Sequence, residues 1–468
     1  MRYVSTRGQA SVLDFADAML AGLARDGGLY VPESWPTLAP GEIRALAGVS
    51  YAEAAYRITR PFVGDSIDAK TYRAIVDATY ANFTHAAVAP LKQLAPNLWL
   101  LELFHGPTLA FKDYAMQLLG NLFNHVLTAR GRRVTIVGAT SGDTGSAAIE
   151  ACKGHDAIDV VILYPHNRVS EVQRRQMTTV NAPNVHAFAV NGTFDDCQAI
   201  LKALFNDAAF RDEISLSGVN SINWARILGQ VVYYVVAGAA LGAPDRKVAY
   251  AVPTGNFGNI YAGYVARRMG LPVAQLVLAT NANDILSRTL ATGSMTRGEV
   301  VPSLSPSMDI QVASNFERML FDLLDRDGAR VAQQMAAFAD TGELVLSPPA
   351  WREATSVFTG FRLDDAGTVA EIRDTFGATG EVLDPHTAVA VAGARAARTD
   401  AAVPMVALAT AHPAKFSDAV TRAIGRVPAL PPHMADLLAR KETFTVIDND
   451  AGAVKTAIRA RLAQGVQA

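Results

Sequence analysis

Lys112 lies in the stretch LELFHGPTLAFKDY, residues 101–114. An apolar run from Leu98 to Leu101 reads as strand after the turn residues Pro96 and Asn97, and Gly106-Pro107 breaks it. Tyr114, Met116, Leu118, Leu119, Leu122 and Phe123 then recur at helical spacing. A lysine at such a strand-to-helix transition, among apolar and aromatic neighbours, is desolvated. Desolvation favours the neutral amine that a Schiff base with an aldehyde requires. The competing reading is an ordinary lysine whose stem packs while its ammonium reaches water. One lysine does not separate the two; two further stretches do.

The first is GATSGDTGSAA, residues 138–148, directly after the strand-like 134–137. Strand, Gly-rich polar loop and small-residue helix together aim backbone N–H groups at an anion, and Thr140, Ser141 and Thr144 add hydroxyl donors. A plain turn with Asp143 and Thr144 capping the helix is the alternative. The second is PTGNFGNIYAG, residues 253–263, again between a strand and a helix. Gly255, Gly258 and the two asparagines, Asn256 and Asn259, let the backbone approach a phosphate at the positive end of that helix. The spacing is neither GxGxxG nor GxxxxGK[ST], so neither a dinucleotide site nor a nucleotide P-loop is indicated. A Schiff-base lysine, a hydroxyl-rich anion loop and a Gly/Asn phosphate loop together describe a pyridoxal-phosphate site. The lysine holds the aldehyde, one loop the cofactor phosphate, and the other a substrate carboxylate.

The elements that must position these stretches alternate. Strands are predicted at 98–104, 134–140, 159–164, 185–190, 248–253, 275–280 and 405–411. Helices are predicted over 113–129, 144–153, 195–206, 225–241 and 259–269. Short β-rich runs separated by helices give an α/β fold, with mostly parallel sheets flanked by helices. Residues 10–25 predict an amphipathic helix with Val12, Phe15, Ala16, Met19, Leu20 and Leu23 on one face and Ser11 as N-cap; a short strand, LYVP, follows. Residues 40–90 read as mostly helical, 292–315 as a Ser- and Pro-rich loop, and 318–380 as helices. The organisation expected is an N-terminal region 1–90, an α/β lobe 91–245 with Lys112 and the SGDTG loop, and a second α/β lobe 246–468 with the GNFGN loop. The charged, Pro-containing segment 242–247 marks the expected lobe boundary.

Half of the 468 residues are apolar and 18% are charged, which supports a large buried core. The net charge of −2 carries no signature of nucleic acid or anionic membrane binding. No run of about 18 uncharged apolar residues occurs, so no transmembrane helix is expected. The N-terminus carries Asp14 and Asp17 without a long apolar core, and reads as neither signal nor transit peptide. Cys152 and Cys197 are too few and too far apart for a disulfide scaffold or a metal site. They read as small core hydrophobes in a reducing, cytoplasmic compartment, and no metal is expected.

Several long segments resemble threonine synthases: LELFHGPTLAFKDY, GATSGDTGSAA, SINWARI (221–227), PTGNFGNI, SPSMDIQVASNFER (305–318), LDPHTAVA (383–390) and ATAHPAKF (409–416), in that family's order. The opening MRYVSTRG and GLARDGGLYVP look similar as well, so the resemblance covers nearly the whole chain. It implies a two-lobed fold-type II pyridoxal-phosphate enzyme, tryptophan synthase β-like, with an extra N-terminal region. The implied lyase reaction converts O-phospho-L-homoserine and water to L-threonine and phosphate. The long N-terminal region and the SGDTG loop look like the bacterial and fungal branch.

Position by position, the resemblance implies that Lys112 carries the cofactor aldehyde and shuttles protons between Cα, Cβ and Cγ. Gly255, Asn256, Phe257, Gly258 and Asn259 hold the cofactor phosphate, and Thr410 faces the pyridine nitrogen with a neutral hydroxyl. Asp143 stands near the cofactor's 3-hydroxyl, where many fold-type II enzymes carry Asn. Ser141 and Thr144, with Thr140, help bind the substrate carboxylate. Arg226, Lys415 and His412 are candidates for the substrate phosphate by motif membership, with ordinary core or surface roles as the alternative; Asn223 and His386 are similar cases. Phe111 and Phe257 read as packing residues around the site.

The implied chemistry needs a base in contact with Cα, which Lys112 supplies, and an electron sink, which the cofactor supplies. Loss of a Cβ proton then expels phosphate from Cγ, and water adds at Cβ. Excluding bulk water while admitting one molecule calls for closure of the lobes. The runner-up is a threonine-synthase-like phospho-lyase that releases 2-oxobutyrate. From a different class comes a silent α/β binder of a phosphate ligand, against which the intact Lys112 beside both loops argues. The expected partner is the small-molecule substrate, with no nucleic acid and no membrane, in a monomer or homodimer.

Overall fold

Six apolar residues in succession, VAYAVP, form the strand Val248–Pro253, and all six are buried. A strand with no polar face needs cover on both sides, which is the position of a central strand in a parallel sheet. It lies third in a six-stranded sheet with the order Phe358–Arg362, Val273–Thr280, Val248–Pro253, Met405–Ala409, Leu98–Glu102 and Leu91–Ala95. Every neighbouring pair is parallel except the last, where Leu91–Ala95 runs antiparallel to Leu98–Glu102. Lys92 and Gln93 leave that edge strand half in water, and a lysine on an edge discourages pairing with another chain. Leu98, Leu100, Ala251, Val277, Met405 and Ala407 of the sheet pack with Ile372, Leu383 and Val391 into one core.

The protein, here a computed structural model, is described over residues 1–218 and 221–465. Its chain contacts define two units, Met1–Phe111 with Ser221–Pro428 and Lys112–Asn220 with Ala429–Ala468. The six-stranded sheet belongs to the first. The second holds an all-parallel five-stranded sheet in the order Thr445–Ile447, Val185–Val190, Ile158–Pro165, Val134–Ala139 and Leu216–Ser217. The chain returns to this unit at its C-terminal end: Val454 and Ile458 of the helix Ala451–Gly465 are buried against Cys197, Ile200 and Leu204.

The division differs from the one expected. Segment 242–247 lies inside the first unit, as a surface turn joining the helix Trp224–Ala240 to the strand Val248–Pro253. Charge and Pro mark a solvated connection there, which a lobe boundary and an ordinary turn share. Residues 1–80 supply the helices Phe15–Ala21, Pro40–Arg44, Tyr51–Val63 and Ala69–Tyr80. Tyr3, Trp35 and Phe62 gather around the fully buried Trp224 ring at centroid distances of 5.9–6.0 Å.

The amphipathic helix expected over 10–25 is shorter. Asp14, not Ser11, caps Phe15–Ala21 by accepting from the Asp17 N–H at 2.8 Å. Leu13 pairs with Tyr3 instead, and Val12 and Leu23 are 43% and 49% exposed. Within 318–380, read as helical, Phe358–Arg362 forms the far edge strand of the first sheet. No helix among the described residues is long and apolar enough to cross a membrane.

Candidate active site

Lys112 opens the helix Lys112–Ala129 and is 9% exposed. Its Nζ donates to Asp143 Oδ2 at 3.4 Å. Asp143 is the first residue of the helix Asp143–Cys152, so its carboxylate also meets that helix's positive end. The other oxygen, Oδ1, accepts from Gln173 Nε2 at 2.9 Å, and Ser170 Oγ donates to Gln173 Oε1 at 3.0 Å, which fixes the way the amide faces. Gln173 fills the space beside Gly142: a Cβ there would overlap its amide, and the Gly142 φ of +144° suits only glycine.

Thr140 differs from its expected role. Its Oγ1 accepts from the N–H groups of Gly142 at 2.9 Å and Gly145 at 3.0 Å, so the buried hydroxyl closes the loop from inside instead of facing a substrate. Ser141 is exposed and Thr144 half-buried. Their backbone N–H groups have no acceptor among the described residues, as an anion loop requires.

In the first unit, Thr254 N–H still pairs with Ala279 O at 2.8 Å. The following N–H groups, from Gly255 to Asn259, have no acceptor among the described residues. They lead into the helix Gly258–Arg268, whose first turn adds its positive end. The residue that makes the turn is Phe257, at a left-handed φ of +63°, and not a glycine. Its ring is held 5.3 Å from Phe316 and 5.5 Å from Phe358, and this packing supports the unusual backbone. Gly255 serves a different end from the one expected. A Cβ there would lie 2.5 Å from Ser307 O, so it is the protein's own backbone that needs the space.

The two asparagines of this loop divide. Asn256 braces it: Nδ2 donates to Ser221 Oγ, and Oδ1 accepts from Ser314 N–H at 2.6 Å. Asn259 Oδ1 accepts from the hydroxyls of Tyr233 at 2.6 Å and Tyr234 at 2.9 Å, which orients the amide. Its Nδ2 is then buried with no partner among the described residues. An unsatisfied buried donor costs about 1–3 kcal/mol, so it marks a place where an acceptor belongs.

Thr410 follows the strand Met405–Ala409. Its N–H donates to Thr387 Oγ1 at 3.2 Å and its carbonyl accepts from Phe111 N–H at 2.9 Å, while its hydroxyl has no hydrogen-bond partner among the described residues. Arg226, on the helix Trp224–Ala240, is 4% exposed, and its Nε and NH1 have no partner among the described residues. Burial alone pushes this guanidinium down to about 10.

Other expected substrate contacts are corrected. Lys415 has no accessible surface and its ammonium donates to Thr108 O at 2.6 Å, so it holds the segment that leads to Lys112 and offers no face to a substrate. Asn223 caps its helix through Ala225 N–H at 3.0 Å and donates to Met19 O at 2.8 Å, which commits both ends of its amide. His412 accepts from Ala414 N–H at 3.2 Å as an N-cap. His386 is enclosed between Asp384 and Ser307.

A family model described as "Threonine synthase N terminus" matches residues 2–80, one for pyridoxal-phosphate dependent enzymes 84–348, and "Threonine synthase, C-terminal" 387–458. A threonine synthase of Pseudomonas aeruginosa is 55% identical over 456 residues, 97% of each chain. The chain belongs to the threonine synthase family. Among solved structures, the pyridoxal-phosphate-bound threonine synthase from Brucella melitensis superposes with a TM-score of 0.97 at 53% identity, over 98% of this chain and 99% of that one. The yeast threonine synthase superposes with a TM-score of 0.94 at 37% identity, over 99% of both chains.

The residues here fit the cofactor of a threonine synthase. The N–H groups from Gly255 to Asn259 and the Asn259 Nδ2, without partners among the described residues, suit a phosphate; the Thr410 hydroxyl, likewise without a partner among them, suits a ring nitrogen; and Lys112 suits an aldehyde. Sequence reasoning missed Gln173, Asp384, Thr387 and Ser307, the partners of residues it did find. Nothing local in the sequence points to Gln173, which reaches Asp143 from 30 residues away.

Proposed function

We propose that the chain catalyses the last step of threonine biosynthesis, converting O-phospho-L-homoserine and water to L-threonine and phosphate. The observation that most supports this substrate is Arg226, a buried cation with two nitrogens that have no partner among the described residues, suited to a dianionic phosphate. When bound, pyridoxal phosphate supplies the electron sink for charge left at Cα. Lys112 takes the Cα proton and returns a proton at Cγ, and Asp143 keeps its amine in place. The N–H groups and hydroxyls of Ser141 and Thr144 hold the substrate carboxylate. Gly255 to Asn259 hold the cofactor phosphate, and Thr410 presents a neutral hydroxyl to the pyridine nitrogen. Arg226 binds the substrate phosphate and offsets the charge of the leaving dianion. The two free, buried cysteines are in keeping with a reducing cytoplasm. The enzyme acts as a monomer or homodimer.

The reading that releases 2-oxobutyrate shares every step up to phosphate loss, so phosphate alone does not separate the two. The test is to incubate the enzyme with O-phospho-L-homoserine and measure threonine, 2-oxobutyrate and phosphate together. Threonine equal to phosphate is expected. Mostly 2-oxobutyrate would replace the synthase with the lyase, and no phosphate at all would leave a silent binder.

A further inference from the structure

We infer that Asp384 and His386, in the segment LDPHTAVA, are positioning residues that hold the phosphate loop and Thr410 in register through one buried carboxylate. Asp384 caps the helix Pro385–Ala396, accepting from the N–H groups of His386 at 2.9 Å and Thr387 at 3.2 Å. A cap needs no more than this. Here the same carboxylate also accepts from the side chains of both residues, from His386 Nδ1 at 2.9 Å and from Thr387 Oγ1. Asp384 is 1% exposed, so these bonds are made away from water.

Each side chain then carries its arm onward. His386 gives its Nδ1 proton to Asp384, which leaves Nε2 a lone pair, and Nε2 accepts from Ser307 N–H at 3.2 Å. Ser307 O is the atom that stands 2.5 Å from where a Gly255 Cβ would be. Next to it, Met308 packs with Ala279 and with Val389 of the same helix. On the other arm, Thr387 gives its hydroxyl proton to Asp384 and accepts Thr410 N–H at 3.2 Å. Thr410 O accepts from Phe111 N–H at 2.9 Å, and Phe111 is the residue before Lys112. In both arms every donor points toward Asp384, so the carboxylate sets the direction of the whole network. Outer partners of this kind fix the orientation of the groups that touch a ligand.

The inference rests on the proposed assignment of Gly255–Asn259 and Thr410 to the cofactor. It is tested with His386→Leu, His386→Gln, Thr387→Val and Thr387→Ser. For each, pyridoxal phosphate is titrated into apoenzyme by fluorescence quenching, apoenzyme unfolding is followed by far-ultraviolet circular dichroism, and the loaded protein by visible circular dichroism. Thr387→Val and His386→Leu should weaken cofactor binding roughly tenfold, the effect of one lost buried hydrogen bond, and diminish the visible band. Their apoenzymes should unfold near the parent's temperature. Thr387→Ser keeps the hydroxyl and His386→Gln keeps an acceptor, so both should recover most of the affinity. Parent-like affinity in Thr387→Val, or equal losses in Thr387→Ser and Thr387→Val, would overturn the inference. If His386→Leu does not fold, the Thr387 pair decides. Gly255→Ala and Thr410→Val serve as references. Unchanged cofactor binding in both would overturn the assignment of the site itself. Losses in both beside parent-like Thr387→Val would overturn the positioning role alone.

Discussion

The Lys112 ammonium and the Asp143 carboxylate stand 3.4 Å apart, each at the first residue of its helix, with side chains 10% and 5% exposed. Gln173 occupies the second carboxylate oxygen, so the carboxylate is turned toward the lysine by a neutral partner. Removing one member of an ion pair buried to this extent is costly to the fold.

The first prediction is that borohydride reduction of the loaded enzyme fixes a pyridoxyl group on the peptide containing Lys112. Lys112→Ala should retain weak cofactor binding through the phosphate loop and lose turnover by about 10²–10⁴-fold, the range for a lost proton-transfer group. Peptide mass spectrometry reads the adduct. Its appearance on Lys153 or Lys415 would remove Lys112 from the role.

Gly255→Ala places a Cβ 2.5 Å from the Ser307 carbonyl, closer than atoms pack, so loop and neighbour must separate. Cofactor affinity should fall at least about tenfold, in line with an overpacking cost of 1–3 kcal/mol. Arg267→Ala, on the exposed face of the following helix, should leave it unchanged. Gly258→Val should be the milder glycine replacement, since Gly258 has no left-handed φ and its nearest neighbour would be Asn315 Nδ2 at 3.1 Å. Equal affinity across the three variants would count against this loop as the phosphate site.

Cys152 and Cys197 are buried, and burial pushes their thiols up to about 12 and about 11. The reactive form is the thiolate, so native protein at pH 8 should resist iodoacetamide at both positions and react at both once unfolded. Rapid native labelling of either one would show that its region opens readily.

The sequence marks Val248–Pro253 and Val185–Val190 to the residue, because runs that are apolar at every position but His186 leave little choice of length. It does not mark Phe358–Arg362, Leu91–Ala95 or Thr445–Ile447. These are short edge or half-exposed strands whose pairing comes from the neighbour and not from their own pattern. In the site, Lys112, Asp143, Asn259 and Thr410 sit beside turns and small residues that announce them locally. Gln173 acts on Asp143 from 30 residues away, and His386 on Ser307 from 79, so only the folded chain shows what they do. The same distinction separates Asn256 from Asn259, which look alike in the loop and differ in what surrounds them.

The last prediction concerns Arg226. Among the described residues, Nε and NH1 of the buried Arg226 guanidinium have no partner, and burial disfavours its charge, which destabilises the fold. Arg226→Met removes that charge and keeps an apolar stem. The apoenzyme variant should therefore be more stable than the parent by ~1 kcal/mol in urea unfolding, while kcat/KM for O-phospho-L-homoserine falls by about 10²-fold or more. The pH dependence has a definite sign. Burial lowers the folded-state value to about 10, below that of the free group, so between the two the unfolded chain binds more protons and parent stability rises with pH. Below about pH 10 both states of the parent carry the charge, so the stability advantage of the variant should be constant from pH 7 to 9 and shrink above 10. Arg226→Lys keeps a charge without the planar fork, so its loss should appear chiefly in KM. If Arg226→Met is less stable than the parent and turns over substrate normally, Arg226 is a structural residue and the substrate phosphate is held elsewhere.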